Sequence, residues 1–310
     1  MRVSIDAEGI EAAFTGENEC LEEILRSSIL GITQEIIEDY TNKLLRNGSG
    51  LGKDWLEKRI FCNPDRMLIV DENNLKKYDL VSLEDLAHAY IGAAYHNGHR
   101  LIRDNAAELN LTQKKSKTYG LKLFDSDNFN IDYKTIPGNE IIFSLKLNSK
   151  TAFQPKSIED FFCNEREIVV YDRYICERSI ELLEQLLKKC HQNFSATIIS
   201  EFETNRNSLF SADDTRRRLK KSFGHATISC YYPNFKELED KHDRHIYLGQ
   251  RIQLTFTSGL DCFGRSPEWK NSECDIYAHI LDHASVIKEY PIKTTAAGSS
   301  RKKIKVTSKI

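Results

Sequence analysis

The C-terminal half of the chain alternates between short apolar runs and amphipathic stretches, and this alternation constrains its fold most strongly. The apolar runs are short enough for strands and cover residues 167–171, 196–199 and 225–232. An apolar stripe between the first two runs, and a basic stretch between the second and third, indicate two helices. Strands that alternate with helices usually pair in parallel through right-handed crossovers. We therefore predict an α/β domain, which further candidate strands at 251–257 and 275–281 would extend.

The N-terminal third has the pattern of amphipathic helices. Apolar side chains recur at helical spacing in residues 21–29 and 36–45, and Ser82 with Asp85 has the form of a capping box at the start of a long helix that runs towards Ile102. From Lys117 the pattern changes to short alternating runs, which favour a β-hairpin or meander. We predict a mainly helical region at 1–116, a β-element and linker at 117–157, the α/β domain at 158–291 and a basic flexible tail at 292–310.

Composition excludes several classes of protein. The chain has 310 residues and a net charge of -2, so any attraction to nucleic acid or to an acidic membrane must come from local patches. No apolar run approaches the length of a membrane span, and the N-terminus lacks the apolar segment of a signal peptide. The eight cysteines show neither a CxxC pair nor zinc-ligand spacing. We predict a cytoplasmic protein with reduced thiols, no metal and no cofactor.

Two short motifs suggest a family. The sequence His242-Asp243-Arg244 precedes a candidate strand, and Gly259-Leu260-Asp261 follows it. This order resembles the phospholipase-D-like C-terminal domain of the MIT-domain proteins, over residues of about 165–290. The resemblance implies a phospholipase-D-like mixed sheet with flanking helices. It also implies a domain that is generally non-catalytic, forms a homodimer and binds membranes or partners.

The motif departs from that of the phospholipase D enzymes, whose His-x-Lys-x4-Asp supplies a nucleophile, a phosphate-binding cation and a supporting acid. His242 and Arg244 match the first two positions, but Gly249 stands at the acid position. Three interpretations follow. His242 and Arg244, with Asp243 and Asp261, bind phosphate; His242 is the nucleophile of a site shared across a dimer; or Arg244 pairs with a carboxylate such as Asp261 as a structural clasp.

Asp172 and Arg173 form a second candidate group, because they directly follow the first predicted strand of the domain. Ligands collect at the carboxyl ends of strands in open α/β sheets, so both side chains are candidate ligand-binding residues. The alternative is a surface ion pair that contributes little.

Two basic segments could form a patch for nucleic acid or anionic phospholipid. One is the predicted helix with Arg217, Arg218 and Lys221, and the other is the tail with Arg301, Lys302 and Lys303. A solvated helix face is the alternative for the first segment.

Together these features predict a phosphate-recognising binding or dimerisation module with a degenerate phospholipase-D-like site, which contacts nucleic acid, an acidic membrane or a protein partner. The alternative function is a phosphodiesterase or nuclease that uses His242. A further alternative is an effector or interaction subunit of a microbial defence system, in which the N-terminal helices recruit the protein partner.

Overall fold

The computed structural model describes most of the chain, and it divides the protein into two compact units, residues 1–137 and 138–309. The division falls about twenty residues before the boundary predicted from the sequence. The described residues are 2–15, 19–48, 50–80, 86–98, 100–104, 109–126, 141–148, 153–202, 211–234, 244–249, 251–262, 273–281, 288–293 and 303–306.

The first unit is built on a five-stranded parallel sheet with helices between its strands. The strands are β1 (Arg2–Ile5), β2 (Ile29–Ile32), β3 (Met67–Ile69), β4 (Arg100–Arg103) and β5 (Lys122–Asp125), in the order β3-β2-β1-β4-β5. The helices are α1 (Ala7–Phe14), α2 (Glu19–Ser27), α3 (Gln34–Tyr40), α4 (Leu51–Cys62), α5 (Glu72–Lys77), α6 (Leu86–His96) and α7 (Leu109–Thr118); a π-helical segment, Thr41–Arg46, continues α3.

This sheet corrects the expectation of a mainly helical region. The helices predicted at 21–29 and 36–45 are present, but the strands between the helices were missed because they are only three or four residues long. Strand β1 does alternate polar and apolar residues, Arg-Val-Ser-Ile, and all four are buried, but a run of four is too short to identify a strand from its pattern.

The predicted long helix is also shorter than expected. Helix α6 ends at His96, and Leu101 and Ile102 belong to β4. Gly98 accounts for the break, because its φ of 94° lies in the left-handed region that glycine adopts without strain. The capping box at Ser82 and Asp85 lies outside the described residues.

Asp6 ties together three elements at the centre of the first sheet. It caps α1 by accepting a 2.8 Å hydrogen bond from the Gly9 N–H, and it forms a 3.0 Å ion pair with Arg103 at the end of β4. The backbone N–H of Asp104 also donates to its carboxylate at 3.2 Å. Burial raises the pKa of Asp6, and these donors offset part of the increase.

The second unit is a nine-stranded mixed sheet. Its strands are β6 (Ile141–Leu147), β7 (Glu167–Tyr171), β8 (Ser195–Ile199), β9 (Thr227–Pro233), β10 (Arg244–Leu248), β11 (Ile252–Phe256), β12 (Cys274–Ile280), β13 (Lys288–Lys293) and β14 (Lys303–Val306). The order is β14-β13-β9-β8-β7-β10-β11-β12-β6; β7, β8 and β9 are parallel, and the other pairings are antiparallel. Helices α8 (Glu177–Leu187) and α9 (Ala212–Ser222) connect the parallel strands.

The predicted strands and helices of this half are present, but the structure differs in three respects. Strand β10, which carries Arg244, was not predicted. The expected hairpin does not form, because β5 pairs in parallel with β4 whereas β6 pairs with β12 in the other sheet. The expected flexible tail contains the end of β13 and the whole of β14. Tyr290 and Ile292 of β13 are buried and anchor β13 and β14 to the sheet. The basic composition of the segment gave no sign of this burial.

A buried ion pair fixes the start of β7 against the turn between β10 and β11. The Arg251 guanidinium lies 2.8 Å from the Glu165 carboxylate, and the two side chains are 4% and 0% exposed. The carboxylate also accepts hydrogen bonds from the backbone N–H groups of Arg166 and Glu167. Such a pair is stable only while both partners are present, because either charge alone would be buried without compensation.

The strand order brings four chain segments to one edge of the second sheet. Strands β7 and β8 end there, and β11 also ends there because it is antiparallel to β10. Strand β10 begins at the same edge, since the pairing of His245 with Tyr171 sets Arg244 beside Asp172.

None of the helices described is long and apolar enough to cross a membrane.

Candidate functional site

Asp172 is the buried centre of the candidate site. It directly follows β7 and is fully buried. One carboxylate oxygen accepts a 3.0 Å hydrogen bond from the Tyr174 N–H, and the other accepts a 3.0 Å hydrogen bond from the Leu260 N–H. Burial raises the pKa of Asp172, while these donors and the Arg244 guanidinium offset part of the increase. Asp172 therefore joins the end of β7 to the turn that follows β11.

Arg244 lies next to this carboxylate. Its Nε is 3.6 Å from Asp172 Oδ1, and its side chain is 15% exposed. The antiparallel pairing of β10 with β7 fixes this position. A guanidinium that is this far buried must be compensated by a carboxylate, which Asp172 supplies. Arg244 thus lies beside the carboxylate of Asp172, rather than pairing with the Asp261 that the clasp interpretation named.

Asp261 contributes a second carboxylate at the same edge. It lies in the short helical turn Leu260–Cys262 that follows β11. Burial and the nearby Asp172 carboxylate raise its pKa to about 6, although the cations of Arg244 and Arg178 act in the opposite direction. Asp261 thus changes its charge close to neutral pH.

Arg178 also belongs to the candidate site, because its positive charge lowers the pKa of Asp261; the sequence analysis did not identify it. Arg178 is half-buried in the first turn of α8, and α8 packs against the turn that carries Asp261. A helix that follows a strand begins at the carboxyl edge of the sheet, so its first turn faces the same edge as Asp172. The position of Arg178, six residues after Asp172, was the signal that could have identified it.

The Arg173 side chain has different partners from the adjacent Asp172. Its Nε forms a 3.0 Å ion pair with Glu201, which follows β8, and its guanidinium lies 5.0 Å from the centre of the Tyr174 ring. The side chain is 39% exposed. This is the surface ion pair that the sequence left open as an alternative for Arg173, whereas Asp172 belongs to the buried cluster.

The remaining residues of the motif divide into two groups. His242 and Asp243 lie outside the described residues. Gly249, at the acid position of the enzyme motif, is in the turn after β10, where its φ is 56° and its N–H donates to the Glu167 carbonyl. It follows Arg244 by five positions along the strand, a distance of about 16 Å at 3.3 Å per residue. That position is therefore at the opposite edge of the sheet from Asp172 and Arg244.

The predicted basic patch on α9 is largely neutralised. Arg217 pairs with Asp214 of the same helix, and Arg218 pairs at 2.9 Å with Glu184 of α8. Lys221 is exposed on α9, and Lys303 is exposed on β14. Arg301 and Lys302 lie outside the described residues. Arg218 therefore helps to hold α9 against α8, whereas the Arg217 pair stays within α9.

Over the part of the chain that the structure describes, no three His, Cys, Asp or Glu side chains come together in a way that could hold a metal ion. No protein-family model matches the sequence, and no curated protein is significantly similar to it. The chemistry of the site is thus defined by its own residues. Two guanidinium groups and two carboxylates share one edge of a mixed α/β sheet, and one carboxylate titrates near pH 6.

Proposed function

We propose that the second unit is a phospholipase-D-like module that binds a phosphate group through Arg244 and Arg178. The observation that carries the proposal is the position of these two cations, since Arg244 lies beside Asp172 and the helix of Arg178 packs against the Asp261 turn at the carboxyl ends of β7 and β8. Guanidinium groups bind phosphate oxygens in a bidentate manner, so an Arg in place of the Lys of the enzyme motif retains phosphate recognition.

The charge balance of the cluster sets the pH dependence of this binding. At neutral pH the two guanidinium groups are matched by two carboxylates, Asp172 and Asp261. Below about pH 6 the Asp261 carboxyl is protonated, which makes the charge of the cluster more positive by one unit. A phosphodiester keeps a single negative charge over this range, so its affinity increases as the pH falls through 6.

A short single-stranded DNA oligonucleotide, followed by fluorescence anisotropy at pH 5.5 and pH 7.5, tests the proposal. We expect salt-sensitive binding that is stronger at pH 5.5. In Arg178→Gln the affinity should fall about tenfold or more, because a charge-assisted hydrogen bond to phosphate contributes about 1.5 to 3 kcal/mol. Arg173→Gln is the matched control, since Arg173 lies at the same edge but pairs with Glu201.

Two results would contradict the proposal. One is a wild-type protein that binds no oligonucleotide at either pH, and the other is an equal loss of affinity in the Arg178 and Arg173 variants. Arg244→Lys adds a second check, because it keeps the charge beside Asp172 but removes the bidentate geometry, and it should weaken binding without unfolding the domain.

A phosphodiesterase or nuclease that uses His242 is the second candidate. It is favoured by the two carboxylates at the edge where β10 begins, since His242 precedes Arg244 by two residues and the enzyme motif itself provides only Gly249. Hydrolysis of a chromogenic phosphodiester, lost in His242→Ala while oligonucleotide binding persists, would establish the enzyme. Binding without hydrolysis would favour the module. The homodimer, the acidic membrane and the defence-system partner stay predictions from the resemblance.

A further inference from the structure

Tyr174 presents an exposed aromatic ring at the edge of the sheet where the candidate site lies. It follows β7 by three residues, and its exposed fraction is 38%. Over the residues that the structure describes, no other large hydrophobic side chain of the second unit is exposed. A single exposed ring is ordinary on a protein surface, so its meaning depends on what surrounds it.

The loop that carries Tyr174 is fixed on both sides of the ring. The Arg173 carbonyl accepts a 3.3 Å hydrogen bond from the Ser200 hydroxyl and a 3.1 Å hydrogen bond from the Glu201 N–H. On the other side the N–H of the buried Ile175 donates to Ser200 Oγ at 3.1 Å. The exposed ring therefore projects from a rigid loop, and little conformational entropy is lost when a ligand packs against it.

A cation lies over one face of the Tyr174 ring. The Arg173 guanidinium is 5.0 Å from the ring centre, and its 3.0 Å ion pair with Glu201 holds it there. Because a guanidinium covers one face of a ring, a planar ligand would stack on the opposite face. Proteins that bind single-stranded nucleic acids combine aromatic stacking of the bases with such cation–π contacts from arginine.

The Tyr174 backbone and the Arg244 guanidinium share one anchor. Asp172 Oδ1 accepts the hydrogen bond from the Tyr174 N–H at 3.0 Å, and the same oxygen lies 3.6 Å from Arg244 Nε. The two nitrogens are therefore at most 6.6 Å apart. A phosphate at Arg244 and a base on the Tyr174 ring can thus belong to one nucleotide or to two successive ones.

We propose that the ligand of the second unit is a single-stranded nucleic acid, whose phosphate binds Arg244 and Arg178 and whose base stacks on Tyr174. This inference rests on the proposed function and adds the class of ligand to it. Every nucleobase has a planar face, so the contact tolerates any sequence. In a duplex these faces are covered by the neighbouring base pairs, so the stack requires a single strand.

An acidic membrane is the competing class of ligand, and the charges at this edge favour nucleic acid. Binding to an anionic membrane surface usually uses a cluster of about four to eight Lys or Arg side chains. The described cations of this site are Arg244, Arg178 and Arg173, and Asp172 and Glu201 lie beside two of them. One ring with a few compensated cations suits one base and its phosphate better than an extended lipid surface.

Fluorescence anisotropy at pH 5.5 tests the inference through the contribution of the base. Three fluorescein-labelled DNA probes of equal length are compared: an ordinary single strand, a single strand of abasic sites and a duplex. The ordinary and abasic strands have the same phosphates and differ only in their bases. We expect the wild-type protein to bind the ordinary strand at least about fivefold more tightly than the abasic strand, the lower end of what one base–aromatic stack contributes.

Substitutions of Tyr174 assign this difference to the ring. Tyr174→Ala should lose at least about fivefold in affinity for the ordinary strand and nothing for the abasic strand or the duplex. Tyr174→Phe, the matched control, keeps the ring and should keep the affinity, whereas Tyr174→Leu keeps hydrophobic area without a ring and should behave as Tyr174→Ala. Arg173→Gln leaves the ring in place and should lose less than Tyr174→Ala. Thermal unfolding of each variant establishes that the fold is intact.

The possible failures of this inference and of the proposed function are distinguishable. Equal affinity for the ordinary and abasic strands, or wild-type affinity in Tyr174→Ala, would overturn the stack, and a loss in Arg178→Gln would then still support the phosphate site. Binding of none of the oligonucleotides would refute the proposed function itself. Phosphatidylserine-containing vesicles test the other class of ligand. Vesicle binding that persists in Tyr174→Leu, without a preference for the ordinary strand, would overturn the assignment to nucleic acid.

Discussion

Replacing Asp261 with asparagine should remove a defined part of the pH dependence of stability. The folded protein raises the pKa of this carboxyl from 3.8 to about 6. The difference of 2.2 units corresponds to about 3 kcal/mol at 1.36 kcal/mol per unit. Because the folded state retains the proton to a higher pH than the unfolded state, the contribution of Asp261 is most favourable below about pH 4. It is lost as the pH rises through 6.

Asp261→Asn keeps the shape of the side chain and cannot ionise. We therefore expect the difference in opening free energy, variant minus wild type, to increase by about 2 to 3 kcal/mol between pH 4 and pH 7.5. Hydrogen–deuterium exchange of peptides from β11 measures this free energy for the second unit alone. The control is Asp213→Asn, which alters an exposed carboxylate on α9. A difference that is constant across this pH range would refute the assignment of the raised pKa to Asp261.

Two further substitutions test the frameworks of the two units. Arg251→Ala should destabilise the second unit by about 3 to 5 kcal/mol, because Glu165 would remain buried without its partner; urea unfolding measures this, and a loss below 1 kcal/mol would contradict the buried ion pair. Gly98→Ala should destabilise the first unit by about 1 kcal/mol or more, because a Cβ would lie 2.5 Å from the Arg2 carbonyl oxygen at a φ of 94°. Differential scanning calorimetry should show a lower unfolding temperature for this variant. An unchanged unfolding temperature would contradict the expectation that alanine is strained at position 98.

The sequence predicted the second unit better than the first for a physical reason. Strands β7 and β8 are five residues long and follow the alternation with helices, so pattern alone identified them. Strands β1 to β5 are only three or four residues long, which is too short for a period of two to be recognised. In such a region the hydrophobic periodicity of the sequence identifies the helices but not the short strands between them.

The candidate site could be predicted in part. Asp172 was identified from its position at the end of a predicted strand, and Arg244 and Asp261 were identified from the His-Asp-Arg and Gly-Leu-Asp motifs. The structure brings all three to one sheet edge. Arg178 was missed, because an arginine in the first turn of a helix has no motif of its own. The pairing of Glu184 with Arg218 could not be predicted either, because it depends on the packing of α8 against α9 and joins residues 34 positions apart.

The arrangement of the first sheet has a consequence for synthesis on the ribosome. The central strand β1 precedes the other strands in the chain, yet one of its two sides pairs with β4. Asp6, which follows β1, forms its ion pair with Arg103, which is synthesised 97 residues later. At 5 to 20 residues per second, β1 is left with one open edge for about 5 to 20 seconds. During this interval the apolar side chains of Val3 and Ile5 lack the packing that buries them in the finished sheet, and a chaperone that binds them would shield them until β4 is made.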